Sequence, residues 1–209
     1  KMNLTAITEP NEVILKHFVD SFTIHDYIKK EAKMIDVGTG AGFPGIPLAI
    51  LRDDIHVTLI DSLQKRVNFL NEVIAKLELT NAEAIHTRAE DLAQKQEYRE
   101  KYDVVTSRAV ANMSTLSEYC LPFVKIGGEF ISYKSEKTEE EMRLARKAIS
   151  LLGGKFDRNE EFYLPDSDIY RNLVVIKKVK ETPDSEDEEV KVKKKSKNKT
   201  SFGEKMIPI

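Results

Sequence analysis

The run Met34-Ile35-Asp36-Val37-Gly38-Thr39-Gly40-Ala41-Gly42-Phe43-Pro44-Gly45-Ile46-Pro47 constrains the fold of this chain more than any other stretch. A short apolar segment enters it, three glycines follow at alternate positions, and Ile46-Pro47-Leu48-Ala49-Ile50-Leu51 leaves it with helical character. That order reads as a strand, a glycine-rich turn and a helix start, the opening of an α/β domain that holds a nucleotide-like ligand. Glycine suits such a turn because it accepts positive φ and puts no Cβ between backbone and ligand. Pro44 and Pro47 fall at or before the first helical turn, where their missing N–H groups are not needed.

Gly40-Ala41-Gly42-Phe43-Pro44-Gly45 also fits the dinucleotide pattern G-x-G-x-x-G, a weak signal by itself. Asp36 argues against a pyrophosphate, since an anion does not welcome a carboxylate beside the turn. It suits the sulfonium and α-amino groups of S-adenosylmethionine, which has no phosphate. Asp36-x-Gly38-x-Gly40-x-Gly42 accordingly resembles motif I of the class I methyltransferases. A tight strand-to-helix turn carrying a carboxylate is the plain structural alternative.

At 209 residues the chain reads as one domain over 1–183, opened by a helical preface over 1–30 and followed by a charged tail over 184–209. With 33% charged and 41% hydrophobic residues it is a globular protein with material for a real core. No apolar run approaches a membrane span and the first residues do not form a signal peptide, so no membrane partner is expected. The single Cys120 excludes an intramolecular disulfide and fits a reducing cytoplasm. A monomer without a metal is expected. The net charge of −2 means that nucleic acid, if bound, must meet a local basic patch.

Val13, Ile14, His17, Phe18 and Phe22 recur at helical spacing after Glu9-Pro10-Asn11-Glu12, which predicts an amphipathic helix over 11–22. His17, Asp20 and Ser21 share it. Residues so close on one helix cannot adopt triad geometry, and they read as a hydrogen-bonded cluster on the helix surface beside the ligand. Val57-Thr58-Leu59-Ile60 is a second buried strand, and Asp61 at its end is placed to bind ribose hydroxyls, a role compatible with capping the next helix. That helix spans 62–77, with Leu63, Val67, Leu70, Val73, Ile74 and Leu77 on its apolar face and Lys65 and Arg66 projecting. Ala82-Glu83-Ala84-Ile85-His86 is a weak third strand. After it, Ala89 is small enough to pass an adenine, and Glu90 or a backbone group is placed to read its amine; a helix cap at Glu90-Asp91 is the equal alternative.

Tyr102 to Ser107 is the fourth strand, and Ser107-Arg108-Ala109-Val110 its exit. Enzymes of the class I plan that methylate exocyclic amines place Asn/Asp-Pro-Pro-aromatic there, so an amine target is disfavoured. Arg108, a cation with planar donors at a strand exit, suits a phosphate or guanine O6 and N7. A helix over 111–124 places Leu116, Tyr119, Cys120 and Phe123 in the core, which makes Cys120 a packing residue rather than a nucleophile. Lys125-Ile126-Gly127-Gly128 reads as its stop. A fifth strand, 129–134, ends at Lys134; a charged helix over 138–152 and two strands, 156–164 and 171–178, complete the sheet. From Pro183 an acidic block and then the lysines of 191–199 read as a solvated, disordered tail.

Asn3-Leu4-Thr5, Lys16-His17-Phe18-x-Asp20-Ser21, the glycine stretch from Asp36 to Pro47, Asp61-Ser62-Leu63-x-Lys65-Arg66, Thr106 to Ala111 and Arg171 to Ile176 occur in that order. Together they resemble the bacterial small-subunit ribosomal RNA guanine-N7 methyltransferases, once named for glucose-inhibited division, over roughly residues 1–183. The resemblance implies a class I methyltransferase fold, Rossmann-like, with a mostly parallel seven-stranded sheet, an antiparallel C-terminal strand and helices on both faces. It implies S-adenosylmethionine as methyl donor and N7 of a guanosine in the decoding-region loop of 16S ribosomal RNA, naked or in the 30S subunit, as acceptor. Matched motifs put the cofactor on Gly38, Phe43, Ala89, Glu90 and Arg108, with Asp61 added from the ribose argument. Arg108 and Lys134 are expected at the target nucleotide as the catalytic pair. Members of that family carry a further helical segment before the Asn3-Leu4-Thr5 motif, so the chain reads as shortened there, and its tail differs from the basic tail of the family.

Guanine N7 has an in-plane lone pair and no proton, so in-line attack on a sulfonium methyl needs neither a general base nor a covalent intermediate. Proximity and orientation would then supply most of the catalysis. The competing readings are a methylase of another acceptor, a cofactor-binding ribosome-assembly factor without turnover and, more distantly, an NAD-dependent oxidoreductase.

Overall fold

The structure is a computed structural model and describes residues 9–108, 111–136 and 138–184. The Asn3-Leu4-Thr5 motif, Ala109-Val110 and all of the charged tail beyond Asp184 lie outside those residues. Seven strands form one sheet: β1 (Lys33–Val37), β2 (His56–Asp61), β3 (Ala82–His86), β4 (Tyr102–Ser107), β5 (Val124–Lys134), β6 (Gly154–Tyr163) and β7 (Tyr170–Lys178). Their spatial order is β3-β2-β1-β4-β5-β7-β6. The first five are mutually parallel, while β7 runs antiparallel to both β5 and β6. The order reverses between β1 and β4, which opens a crevice outside the carboxyl ends of those two strands.

Period-two alternation sends consecutive side chains to opposite faces, and each face has its own helices. Ile35, Val37, Val105, Phe130, Val174 and Ile176 pack with Leu92 of α5 (Ala89–Leu92), Leu116 and Cys120 of α6 (Met113–Cys120) and Ile149 of α7 (Glu139–Leu151). Met34, Leu59, Val104, Ile131 and Val175 pack with Leu48 of α3 (Gly45–Leu51), Leu70 of α4 (Gln64–Lys76) and Ile24. The mostly parallel sheet, the reversed C-terminal strand and helices on both faces are as the sequence implied. Both-face burial is also why the strands carry near-continuous apolar runs rather than clean alternation.

The N-terminal helix is one continuous rod built of α1 (Pro10–Val13), a π-wound stretch (Ile14–Val19) and α2 (Asp20–Phe22). Its His17-Asp20-Ser21 cluster is not on the surface, as expected, but turned inward: Asp20 and Ser21 are buried, and the Ser21 hydroxyl donates to the His17 carbonyl. Two further expectations change. Leu63 and Leu77 bracket α4 and are about half exposed, because α4 is shorter at both ends than the apolar spacing suggests. Gly127-Gly128 does not stop a helix. α6 ends at Cys120, a 3₁₀ turn (Leu121–Phe123) follows, and the glycine pair lies inside β5 at a shift in its pairing with β4. Gly127 takes φ 85°, and a Cβ on Gly128 would press on the Asp103 carbonyl at 2.7 Å.

At the far end of the sheet from the crevice, Lys178 is fully buried. Its ammonium donates to the Leu121 carbonyl at 2.7 Å and Thr182 Oγ1 at 2.6 Å, and pairs with Glu100 at 2.9 Å. Glu100 also accepts the Thr182 N–H. These bonds fasten the strap after β7, which Gly153 anchors by accepting the N–H groups of Val179 and Lys180 at 2.8 and 3.0 Å. Gly153 takes φ 80°, and a Cβ there would run into the Lys180 carbonyl. Gly153→Ala should therefore cost at least about 2 kcal/mol of unfolding free energy. Urea titration of the variant reads that loss; an unchanged midpoint would contradict the packing described.

Candidate functional site

Gly38 and Gly40 form the floor of the crevice. Both have positive φ, 71° and 61°, a conformation L side chains avoid. A Cβ on Gly38 would meet nothing within 4 Å, so this backbone faces open space that a ligand can approach. The third glycine differs: a Cβ on Gly42 would strike Ile46 and Leu70 at 2.7 and 2.8 Å, so its role is close packing of the turn on α3 and α4. The N–H groups of Gly38 and Thr39 both donate to the Ile60 carbonyl, tying the turn to β2.

Asp36 was expected to face the ligand's cationic end. It is instead fully buried beneath the turn. Its carboxylate accepts from Thr39 Oγ1 at 2.7 Å, the Gly45 N–H at 3.1 Å and Thr106 Oγ1 at 3.3 Å. Burial pushes its pKa from 3.8 up to about 6, against the pull of the Thr39 and Gly45 bonds and the Arg108 charge. The reason is parity: at the fourth position of β1 the side chain points to the α3 face, not over the crevice.

Asp61 closes β2 beside the same turn. One oxygen accepts the Gly40 N–H at 3.0 Å and Arg66 Nη1 at 3.2 Å, the other the Leu63 N–H at 2.9 Å. A carboxylate offers about four acceptor positions. Three are filled, so the group is held rigidly beside the turn, nearly fully buried, with one acceptor position unfilled. The Thr87 N–H donates to the Asp61 carbonyl, bringing the end of β3 alongside. Ala89 then opens α5, partly buried, with Glu90 exposed in its first turn. Neither Glu90 nor Asp91 is the N-cap; that position is Arg88, whose side chain makes no capping bond.

Arg108, just past β4, lies over the Phe43 ring, 5.3 Å from its centroid. His17 stacks on that ring at 4.8 Å and Phe18 meets it edge-on at 5.4 Å. Arg108 Nη1 donates to the Lys16 carbonyl and to Asp20 Oδ2, both at 3.2 Å, and Nη2 to His17 Nδ1 at 3.3 Å. Burial and then the Arg108 charge hold the His17 pKa below its usual value, consistent with a neutral ring that accepts this bond. The other oxygen of Asp20 accepts from Arg171 Nε at 2.9 Å. The N-terminal helix is thus pinned onto the glycine turn by an aromatic stack and by one buried carboxylate between two arginines.

Lys134, at the end of β5, has a side chain only 10% exposed. It donates to the Ala111 carbonyl at 3.0 Å and to Glu141 at 2.8 Å. The structure therefore groups Gly38 and Asp61 around the turn, joins Phe43 to Arg108, sets Ala89 and Glu90 next to the end of β2, and leaves Lys134 tied to another partner. Sequence reading assigned no role to Arg171 or Glu141 and saw Asp20 only in a local cluster. The partners of Asp20 are 88 and 151 residues away, and no local pattern announces a contact at that range. Cys120 is buried and its thiol pKa is pushed well up, as a packing role requires. Among the described residues no group of three or more His, Cys, Asp or Glu could hold a metal ion, and no helix is long and apolar enough to cross a membrane.

The buried Asp36 makes a pH prediction. A raised carboxyl pKa means the folded state binds the proton more tightly than the unfolded chain. The associated cost is absent below 3.8, grows as pH rises toward about 6, and is complete above it. Carbon-13 NMR of the Asp36 carboxyl should show a midpoint near 6. A midpoint at or below the ordinary value would contradict the burial described.

Comparison with known proteins agrees with this geometry. A family model described as rRNA small subunit methyltransferase G matches residues 1–169. The curated Ribosomal RNA small subunit methyltransferase G of Desulforamulus reducens is 59% identical over 184 residues, 87% of this chain and 77% of that protein. The protein of the same name from Clostridium novyi is 52% identical over 185 residues, 88% of this chain and 76% of that one. A solved SAM-dependent methyltransferase from Aquifex aeolicus superposes with a TM-score of 0.58 at 21% identity, covering 82% of this chain and 94% of its own, a likeness of fold. On the family model and these relatives, the chain belongs to the rRNA small subunit methyltransferase G family.

Proposed function

We propose that this chain transfers a methyl group from S-adenosylmethionine to N7 of a guanosine in the decoding-region loop of 16S ribosomal RNA, in the bacterial cytoplasm. Membership of the family supports the RNA acceptor. The observation that carries the finer reading is Arg108: a two-armed cation at the exit of β4, stacked on Phe43 of the glycine turn, where amine methylases carry a different motif. Three of its five N–H groups go to the Lys16 carbonyl, Asp20 and His17, and the others suit the O6 and N7 edge of guanine or a flanking phosphate.

S-adenosylmethionine, when bound, supplies an electrophilic methyl on a positively charged sulfur. The open floor at Gly38 would admit it, and Asp61, held by three donors, would give its remaining acceptor position to the ribose. Ala89 and Glu90 would flank the adenine, and Phe43 with Arg108 would close the side nearest the acceptor. Guanine N7 would take the methyl directly, its bond to carbon forming as the donor's carbon–sulfur bond broke and left that electron pair on sulfur, so the chain would have no proton to remove and no base to supply. The residues at hand match that economy: His17 is held neutral by burial and by Arg108, and the only thiol is buried away. Orientation is what the chain contributes.

Arg108→Ala should lower methyl transfer by roughly 100-fold or more, in the range found when one oriented donor is removed. Arg108→Lys should keep the charge beside Asp20, and so the fold, yet recover little activity because an ammonium lacks the planar fork. Steady-state transfer of labelled methyl to 30S particles, with thermal unfolding as control, checks both. Full activity in either variant would refute the role given to Arg108.

A further inference from the structure

Lys134 was expected to face the target nucleotide, but its contacts point elsewhere. Glu141 Oε1 accepts both the Lys134 ammonium at 2.8 Å and the Met113 N–H at 2.6 Å. The same ammonium donates to the Ala111 carbonyl at 3.0 Å. Residue 111 is thereby held by its carbonyl and residue 113 by its N–H, while Asn112 between them caps α6 by accepting the Thr115 N–H at 3.0 Å. We propose that Lys134 and Glu141 form a clamp that sets residues 111–113 at the entry to α6, and that Glu141 is a positioning residue for methyl transfer; this rests on the methyltransferase reading above.

Three facts favour the clamp over a direct contact with RNA. Lys134 is mostly covered, and its ammonium is engaged by a carboxylate and a backbone carbonyl. Glu141 does not behave as one more acidic residue in the first turn of α7. Its neighbour Glu140 bonds Arg143 of its own helix, whereas Glu141 reaches across to β5 and α6. Arg108, at the exit of β4, is likewise tied to Asp20 and the Lys16 carbonyl. Residues 111–113 are therefore held by polar anchors at the end of β5, on the edge of the sheet where the crevice opens. Misplacing such a segment by about 1 Å is enough to cost on the order of 100-fold in rate.

The test compares Glu141→Ala, Glu141→Gln, Lys134→Gln and the Lys134→Gln/Glu141→Ala double variant in the full chain. The assay is methyl transfer to 30S particles lacking the modification. Glu141→Ala should lose roughly 100-fold in kcat, with KM for the particle and the donor within about twofold. Glu141→Gln keeps an oxygen that can accept both donors and should recover most of the rate. Lys134→Gln should fall like Glu141→Ala, and the double variant no further than the worse single, as for residues acting as one unit. Amide hydrogen exchange at Met113, which needs no turnover, should quicken by about tenfold or more in Glu141→Ala. Unchanged kcat in Glu141→Ala overturns the clamp. So does a Lys134→Gln variant with raised KM for the particle at unchanged kcat, which would mark a direct RNA contact, or loss of donor binding in Glu141→Ala, which would mark a general structural role. If the unaltered chain transfers nothing while Met113 exchange still responds, the methyltransferase reading fails and the clamp stands.

Discussion

The Asp36 carboxylate, sealed beneath the glycine turn, accepts from Thr39, from the first N–H of α3 and from Thr106 on β4. It joins the end of β1 to the turn it feeds, to the helix that follows and to the neighbouring strand. Each partner satisfies a polar group that would otherwise be buried alone, and the carboxylate bears a desolvation cost that lifts its pKa. The crevice floor depends on that arrangement. Gly38 and Gly40 can expose bare backbone to a ligand because the turn beneath them is held from inside rather than by the ligand.

Above the floor, the same device recurs at larger scale. Asp20 binds Arg108 and Arg171 with its two oxygens, and Glu141 binds Lys134 and a backbone N–H with one. Both acids come from helices and both hold cations that leave the ends of strands. In a chain of net charge −2, these cations are paired with buried or half-buried acids. Such pairs add little stability in themselves, since desolvation offsets much of the attraction, but they fix the direction of the groups they join. Direction is what in-line transfer to a lone pair needs.

Much of this was legible in the chain. The strands β3 and β4 follow directly from their local runs, and the glycine turn announces both the crevice and the helix behind it. What escaped was set by tertiary context. Gly127-Gly128 looks like a helix stop because glycine ends helices, yet β5 uses the same freedom to shift its register against β4. Asp36 looks like a ligand group from its neighbours in sequence, while strand parity sends it to the α3 side. Lys134 looks like a free cation at a strand end until α7 brings Glu141 to it. Asp61 ends β2 and Arg108 follows β4, as their runs indicate, but the Arg66 bond of the first and the Asp20 bond of the second were not visible, the latter because it spans 88 residues.

The most direct test of the account is the site of the transferred methyl. Labelled S-adenosylmethionine and the unaltered chain are incubated with 30S particles and with naked 16S RNA from a strain lacking the modification, and the RNA is cleaved at N7-methylguanine. The account predicts label at a single guanosine in the decoding-region loop, with cleavage at that nucleotide. Label on an exocyclic amine or ribose, or on protein instead of RNA, would contradict it.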